Sequence, residues 1–168
     1  MSIITQELLD LVIDCPKNAI RAERKRMQSV NRHRKNNAYL VSQDGKFEYK
    51  LFLRQSLEFL EDFSVGLIWT NPTRHIEITK NSVILLRCQG PHDGKTPLGT
   101  DLHHDYHIHR ITLDDFDAKR YQKPSDRVQT SDFSSFEQAI LYATNRCHIN
   151  GLDNILDLPE AVTQTSLF

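Results

Sequence analysis

A repeated alternation of apolar and polar residues is the feature that most restricts how this chain folds. The segment KFEYKLFLRQS alternates four apolar side chains with charged and polar ones, at Phe47, Tyr49, Leu51 and Leu53. Asp44 and Gly45 precede it, and an Asp-Gly pair between alternating segments is typical of a β-hairpin. The segments FSVGLIWTN, HIEITK and SVILLRCQ follow, separated by turn residues. The pattern predicts a series of antiparallel strands.

Helical periodicity at both ends of the chain adds helices to this sheet. The segment ITQELLDLVIDC repeats apolar residues at helical spacing. Asp14 as a cap and Pro16 in the first turn predict a second helix that extends to about residue 31. Ser134 and Glu137 form a capping-box pattern before a last long helix that we expect to stop at Gly151. The sequence therefore predicts an α+β fold with two N-terminal helices, an antiparallel sheet of about six strands and a C-terminal helix packed on it.

The chain length and composition predict one domain over residues 1 to 168. Hydrophobic residues make up 39% of the chain and charged residues 26%, which is typical of globular domains. Residues 152 to 168 lack a clear period, and we expect them either to dock or to form a flexible tail. No apolar segment is long enough to span a bilayer, and the three cysteines form no C-x-x-C motif. We therefore expect a cytoplasmic protein without a membrane partner.

Positive charge is concentrated near the N-terminus although the formal net charge is only -1. Residues 17 to 35 contain eight basic residues and the single acid Glu23. On a helix, this run forms either a solvated surface or a phosphate-binding surface. The second interpretation predicts seven nucleic-acid-binding residues: Arg21, Arg24, Lys25, Arg26, Arg32, Arg34 and Lys35.

Histidines cluster in GTDLHHDYHIHR, after a stretch rich in glycine and proline. On a strand, His107 and His109 project from the same face. Two neighbouring imidazoles suit RNA transesterification, because one removes the 2′-hydroxyl proton and the other protonates the leaving oxygen without a metal or other cofactor. Arg87, Lys95 and Arg110 are candidates for stabilising the phosphorane, although Arg110 faces the opposite side unless a bulge turns it.

Two other interpretations of the histidines remain open at this point. A metal site for zinc, manganese or iron would combine His107 and His109 with His92 and His104. Alternatively, the histidines are ordinary surface or hydrogen-bonded residues, as most histidines are.

The segments RCQGPHDG, HHDYHIH and SFEQAILYATNRCHI resemble a family of small uncharacterised bacterial proteins, some of which look like toxin components of toxin-antitoxin or phage-defence loci. The resemblance covers residues 46 to 149, and it implies an antitoxin protein as a partner. We therefore expect a metal-independent endoribonuclease of toxin type that acts on RNA or ribosome-associated RNA. The alternatives are a metal-dependent enzyme with an H-x-H site for a small substrate, and a non-catalytic phage or defence binding protein that uses a basic helix.

Overall fold

The computed structural model describes residues 3 to 91 and 105 to 158. Within these ranges the chain has an α+β fold. The helices are α1 (Gln6–Asp14), α2 (Leu113–Asp117), α3 (Phe136–Arg146) and α4 (Leu152–Ile155). The strands are β1 (Lys17–Ala22), β2 (Gln28–Val30), β3 (His33–Ser42), β4 (Glu48–Ser56), β5 (Phe63–Trp69), β6 (Val83–Gln89), β7 (His107–Arg110), β8 (Asp126–Gln129) and β9 (Ile149–Asn150).

One mixed sheet connects all nine described strands. Its order is β8-β7-β6-β5-β4-β3-β1-β9, and β2 pairs with β3 beside β1. Neighbouring strands from β3 to β8 are antiparallel, which agrees with the predicted series, whereas β9 joins β1 in parallel. The α+β class is thus confirmed, but the sheet has more strands than the predicted six and is not purely antiparallel.

The predicted second N-terminal helix is wrong, because residues 17 to 35 form β1, β2 and the beginning of β3. Asp14 is the last residue of α1 and does not cap another helix. Strand β1 pairs its backbone with β3 through a register that shifts around Ile20. The apolar residues Ile20 and Val30 of this segment are exposed, so they offer no buried helix face. Pairing with β3 therefore outweighs the weak helical pattern.

Three further segments differ in secondary structure from the sequence-based expectation. The segment HIEITK does not form a ladder strand, and a short 3-10 turn, Pro72–Arg74, lies just before it. Strand β8 lies in a polar stretch where no strand was expected. Helix α3 is capped by Ser135, whose hydroxyl accepts from the Gln138 N–H, and ends at Arg146, well before Gly151.

The C-terminal residues that the structure describes pack on the sheet. Helix α4 begins after Gly151, and Leu152 and Leu156 are buried in the hydrophobic core. Residues 159 to 168 of the predicted tail lie outside the described residues. None of the helices in residues 3 to 91 and 105 to 158 combines the length and the apolar composition needed to cross a membrane.

The two faces of the sheet differ in chemistry. The first face carries the core, where Leu53, Val65 and Cys88 are fully or almost fully buried. Helices α1 and α3 contribute buried apolar residues such as Val12 and Ile140 to the same core. Because side chains alternate along a strand, the residues between these core positions project from the second face.

Candidate functional site

The second face of the sheet carries three rows of cross-strand neighbours. Residues directly opposite each other on paired strands project from the same face, so the pairing register defines the rows. The first row is Asn37, Phe52, Gly66, Arg87, His109 and Arg127. The second row is Lys35, Arg54, Ser64, Gln89, His107 and Gln129. The third row is Arg21, Tyr39, Lys50, Ile68 and Ile84.

We call these three rows the cationic face. Their residues include six lysines and arginines and no aspartate or glutamate. Arg54 contacts Asp62, an acid that lies outside the rows, at 3.1 Å. The face therefore suits a polyanion by charge.

His109 lies between two arginines in the first row. On one side it is opposite Arg87 of β6, and on the other it is opposite Arg127 of β8. The His107 ring lies on the same face, with the two ring centres 5.0 Å apart and the ring planes nearly perpendicular. The strand thus brings two imidazoles and two guanidinium groups into one small area.

The two histidines differ in accessibility. His107 has no exposed surface, whereas His109 is half-buried. The Nδ1 atom of His107 lies 2.7 Å from the Asp105 carbonyl oxygen, and because a carbonyl only accepts, Nδ1 carries the hydrogen and donates it. Its Nε2 atom lies 3.2 Å from the side-chain oxygen of Gln89. The Gln89 amide therefore occupies the position where a ligand would meet Nε2.

Arg87 is held in an environment that favours an added anion. Its Nε atom is buried and has no hydrogen-bond partner among the described residues. Burial lowers the pKa of Arg87, and the charge of Arg54 lowers it further. Its guanidinium carbon lies 5.7 Å from the centre of the Phe52 ring. A phosphate bound at the Arg87 guanidinium would supply the compensating charge.

The structure separates Arg110 from this cluster, and Lys95, the third candidate for stabilising the phosphorane, lies outside the described residues. Arg110 follows His109 on β7 and projects from the opposite face, where it lines a cavity together with Asp126 and Arg146. Arg127 was not among the residues expected from the sequence. Strand β8 is only four residues long, and its alternation is too short to identify without the pairing to β7.

The predicted basic run does not form one surface. Arg21 and Lys35 belong to the cationic face, with the Arg21 guanidinium 3.9 Å from the centre of the Tyr39 ring. Arg24 and Lys25 are exposed in the connection between β1 and β2. Lys17 is fully buried.

The other three arginines of the run contact acidic side chains or project from the first face. Arg26 forms an ion pair with Asp157 at 2.9 Å, and Arg32 one with Glu58 at 3.4 Å. Arg34 donates to the Gln55 side chain at 2.7 Å on the first face. Of the seven predicted nucleic-acid-binding residues, Arg21 and Lys35 therefore belong to the three rows of the cationic face.

The metal alternative depends on residues beyond the described part of the chain. Of its four expected ligands, His92 and His104 lie outside residues 3 to 91 and 105 to 158. Within those ranges, no three histidine, cysteine, aspartate or glutamate side chains are grouped so that they could hold a metal ion. The four-histidine metal site stays a prediction.

Comparison with known proteins found no matching family model, no matching curated protein and no matching solved structure. The resemblance to toxin-like bacterial proteins accordingly stays a prediction.

Proposed function

We propose that this protein is a metal-independent endoribonuclease whose active site is the His109 region of the cationic face. The observation that carries the proposal is the row Arg87, His109, Arg127, with the His107 ring 5.0 Å from the His109 ring. A phosphodiester at this position meets a proton acceptor and two positive charges within one row. This combination suits cleavage by the neighbouring 2′-hydroxyl of RNA.

In the proposed reaction, His109 accepts the proton of the 2′-hydroxyl, because it is the more accessible imidazole. The 2′-oxygen forms a bond to phosphorus, and the bond from phosphorus to the 5′-oxygen breaks. Arg87 and Arg127 bind the non-bridging oxygens, on which negative charge increases. The products are a 2′,3′-cyclic phosphate and a 5′-hydroxyl.

His107 protonates the leaving 5′-oxygen in this proposal. Its Nδ1 hydrogen bond to the Asp105 carbonyl fixes the ring, so that only Nε2 exchanges a proton with the substrate. Access to Nε2 requires the half-buried Gln89 side chain to move, since its amide is 3.2 Å from that atom. The two imidazoles return to their starting states by exchanging protons with water.

A cleavage assay in chelator tests this proposal. Purified protein is incubated with RNA, with and without ribosomes, and the 3′ ends are analysed for cyclic phosphate. His109→Gln removes the proton acceptor, so we expect the rate to fall by about a hundredfold to ten-thousandfold. The matched control is His148→Asn, because His148 is exposed beyond α3 and Asn tolerates its φ of 53°.

The proposal fails if the wild-type protein leaves RNA intact under both conditions, or if His109→Gln cleaves at the wild-type rate. Cleavage that stops in chelator and returns with zinc or manganese would instead support the metal-dependent alternative.

We further propose that the protein acts as a toxin in the cytoplasm, restrained by an antitoxin protein. This part rests on the family resemblance and on Cys15, Cys88 and Cys147, which are free, as is usual in a reducing compartment. Expression of the wild-type protein should then arrest growth, whereas expression of His109→Gln at equal level should not.

A further inference from the structure

We propose that the cationic face selects single-stranded RNA by stacking an unpaired base on the ring of Phe52. This inference rests on the proposed function, since it names the form of RNA that the same site accepts. It adds a base-binding position beside the phosphate-binding residues of the proposed active site.

The position of Phe52 is set by the glycine opposite it. Phe52 on β4 pairs with Gly66 on β5, and the ring lies where a side chain at residue 66 would be. The aromatic ring therefore lies against the backbone of β5, and Phe52 is only half-buried on a face where most neighbours are charged or polar. A partly exposed ring on a sheet is a surface on which a nucleobase can stack.

The distance from Phe52 to His109 allows a base stacked on Phe52 to belong to a nucleotide next to the reacting phosphate. Because the ring covers Gly66, it lies two strands from His109, which corresponds to about 10 Å at ordinary strand spacing. Arg87 lies between them, with its guanidinium carbon 5.7 Å from the ring centre. One arginine is thus beside both the stacked base and the phosphate.

Further positive charges lie along the cationic face on the side of Phe52 that is away from the histidines. Lys35, Lys50 and Arg21 extend the cationic face from Phe52 across β4, β3 and β1, and Lys35 and Arg21 are exposed. A single strand presents both phosphates and unpaired bases to such a surface, whereas a duplex hides the base faces within its stack. Basic grooves with aromatic side chains are the usual means of binding single strands.

A binding experiment with uncleavable RNA tests the inference. The probe is a mixed-sequence oligonucleotide in which every 2′-hydroxyl is methylated, used single-stranded, annealed to its complement, and with abasic sites. Fluorescence anisotropy should show the tightest binding for the intact single strand. Phe52→Leu keeps an apolar side chain against Gly66 but removes the aromatic ring, and we expect about fivefold to a hundredfold weaker single-strand binding.

The matched control is Phe59→Leu, because Phe59 is 68% exposed in the turn between β4 and β5 and is not in the three rows. Phe59→Leu should bind the single strand as tightly as the wild-type protein does. Inorganic polyphosphate, which has no bases, should bind Phe52→Leu and the wild-type protein equally. Phe52→Trp provides a second readout, since its fluorescence should be quenched by the single strand and not by polyphosphate.

The outcomes separate this inference from the proposed function. If the duplex or the abasic strand binds as tightly as the intact single strand, or if Phe52→Leu binds normally, the inference is overturned even when unmethylated RNA is cleaved. If the binding pattern is as expected but unmethylated RNA is not cleaved, the base-stacking site stands and the endoribonuclease proposal fails.

Discussion

At the scale of single residues, Asp115 shows how a buried carboxylate is stabilised close to the end of β7. Asp115 has no exposed surface and accepts hydrogen bonds from the Thr112 backbone and hydroxyl, from Arg120 and from the Ser125 backbone. Burial alone raises the pKa of this carboxyl, but the hydrogen bonds from Ser125, Arg120 and Thr112 outweigh it and lower the pKa below its ordinary 3.8. The ionised form is therefore the one that stabilises the fold.

Replacing Asp115 with asparagine should destabilise the protein in a pH-dependent way. Because the pKa is lower in the folded chain, the stabilisation is fully present above pH 3.8 and is lost as the pH falls through the folded value. At pH 7 we expect Asp115→Asn to reduce the free energy of unfolding by roughly 1.5 to 3 kcal/mol. Urea unfolding at pH 7 and pH 3 measures the difference.

The control for Asp115 is its neighbour Asp114, which is exposed. Asp114→Asn should change the free energy of unfolding by less than about 0.5 kcal/mol. A loss for Asp115→Asn that is as large at pH 3 as at pH 7 would contradict the assigned role of the ionised carboxylate.

At the scale of elements, the contact between β4 and β5 depends on the absence of a side chain at Gly66. A Cβ atom there would overlap the Cε1 and Cζ atoms of the Phe52 ring. Gly66→Ala should therefore lower the free energy of unfolding by about 1 to 3 kcal/mol, the usual cost of overpacking. Leucine lacks those two ring atoms, so the same substitution should cost less in the Phe52→Leu background.

A double-mutant cycle by urea denaturation measures this coupling. We expect the two substitutions together to be less destabilising than the sum of the single effects by about 1 kcal/mol. Additive effects would mean that the Phe52 ring does not rest on Gly66, and the stacking position proposed above would lose its structural basis.

The strands that were predictable are those whose alternation is long and regular. The segment with Phe47, Tyr49, Leu51 and Leu53 forms β4 and its preceding turn, because one face of β4 is buried in the core and the other is not. Strand β1 was missed for the opposite reason. Its register shifts around Ile20, and a bulge breaks the period of two that identifies a strand.

The candidate site was predictable only along a single strand. That His107 and His109 share a face follows from alternation within β7. The neighbours Arg87, Arg127 and Phe52 depend on which strands are adjacent and in which register, and that information resides in pairing over long sequence separations. The same alternation placed Arg110 on the opposite face unless a bulge turned it, and Arg110 does project from that face.

At the scale of the whole molecule, Lys17 joins the N-terminal and C-terminal parts of the chain. It is the first residue of β1, where β1 pairs with β9. Its Nζ atom donates to the carbonyl oxygens of Ile13 at 2.6 Å and Cys15 at 2.8 Å, both at the end of α1. It also donates to the Cys147 carbonyl at 2.9 Å, at the end of α3. One ammonium group thus donates to three carbonyls at the ends of α1 and α3, and Lys17 and Cys147 are 130 residues apart in the sequence.

Lys17→Met tests whether this contact stabilises the whole fold, because methionine fills a similar volume but has no hydrogen-bond donor. Leaving these carbonyls without their donor should reduce the free energy of unfolding by roughly 2 to 4 kcal/mol, seen as a lower urea midpoint with an unchanged slope. The control is Lys35→Met, since Lys35 is exposed and its loss should cost less than about 0.5 kcal/mol. If the two variants unfold at the same urea concentration, the buried ammonium is not what joins α1, β1 and α3. The stability of the sheet edge would then rest on apolar packing, with Leu152 and Ile149 as the residues to test.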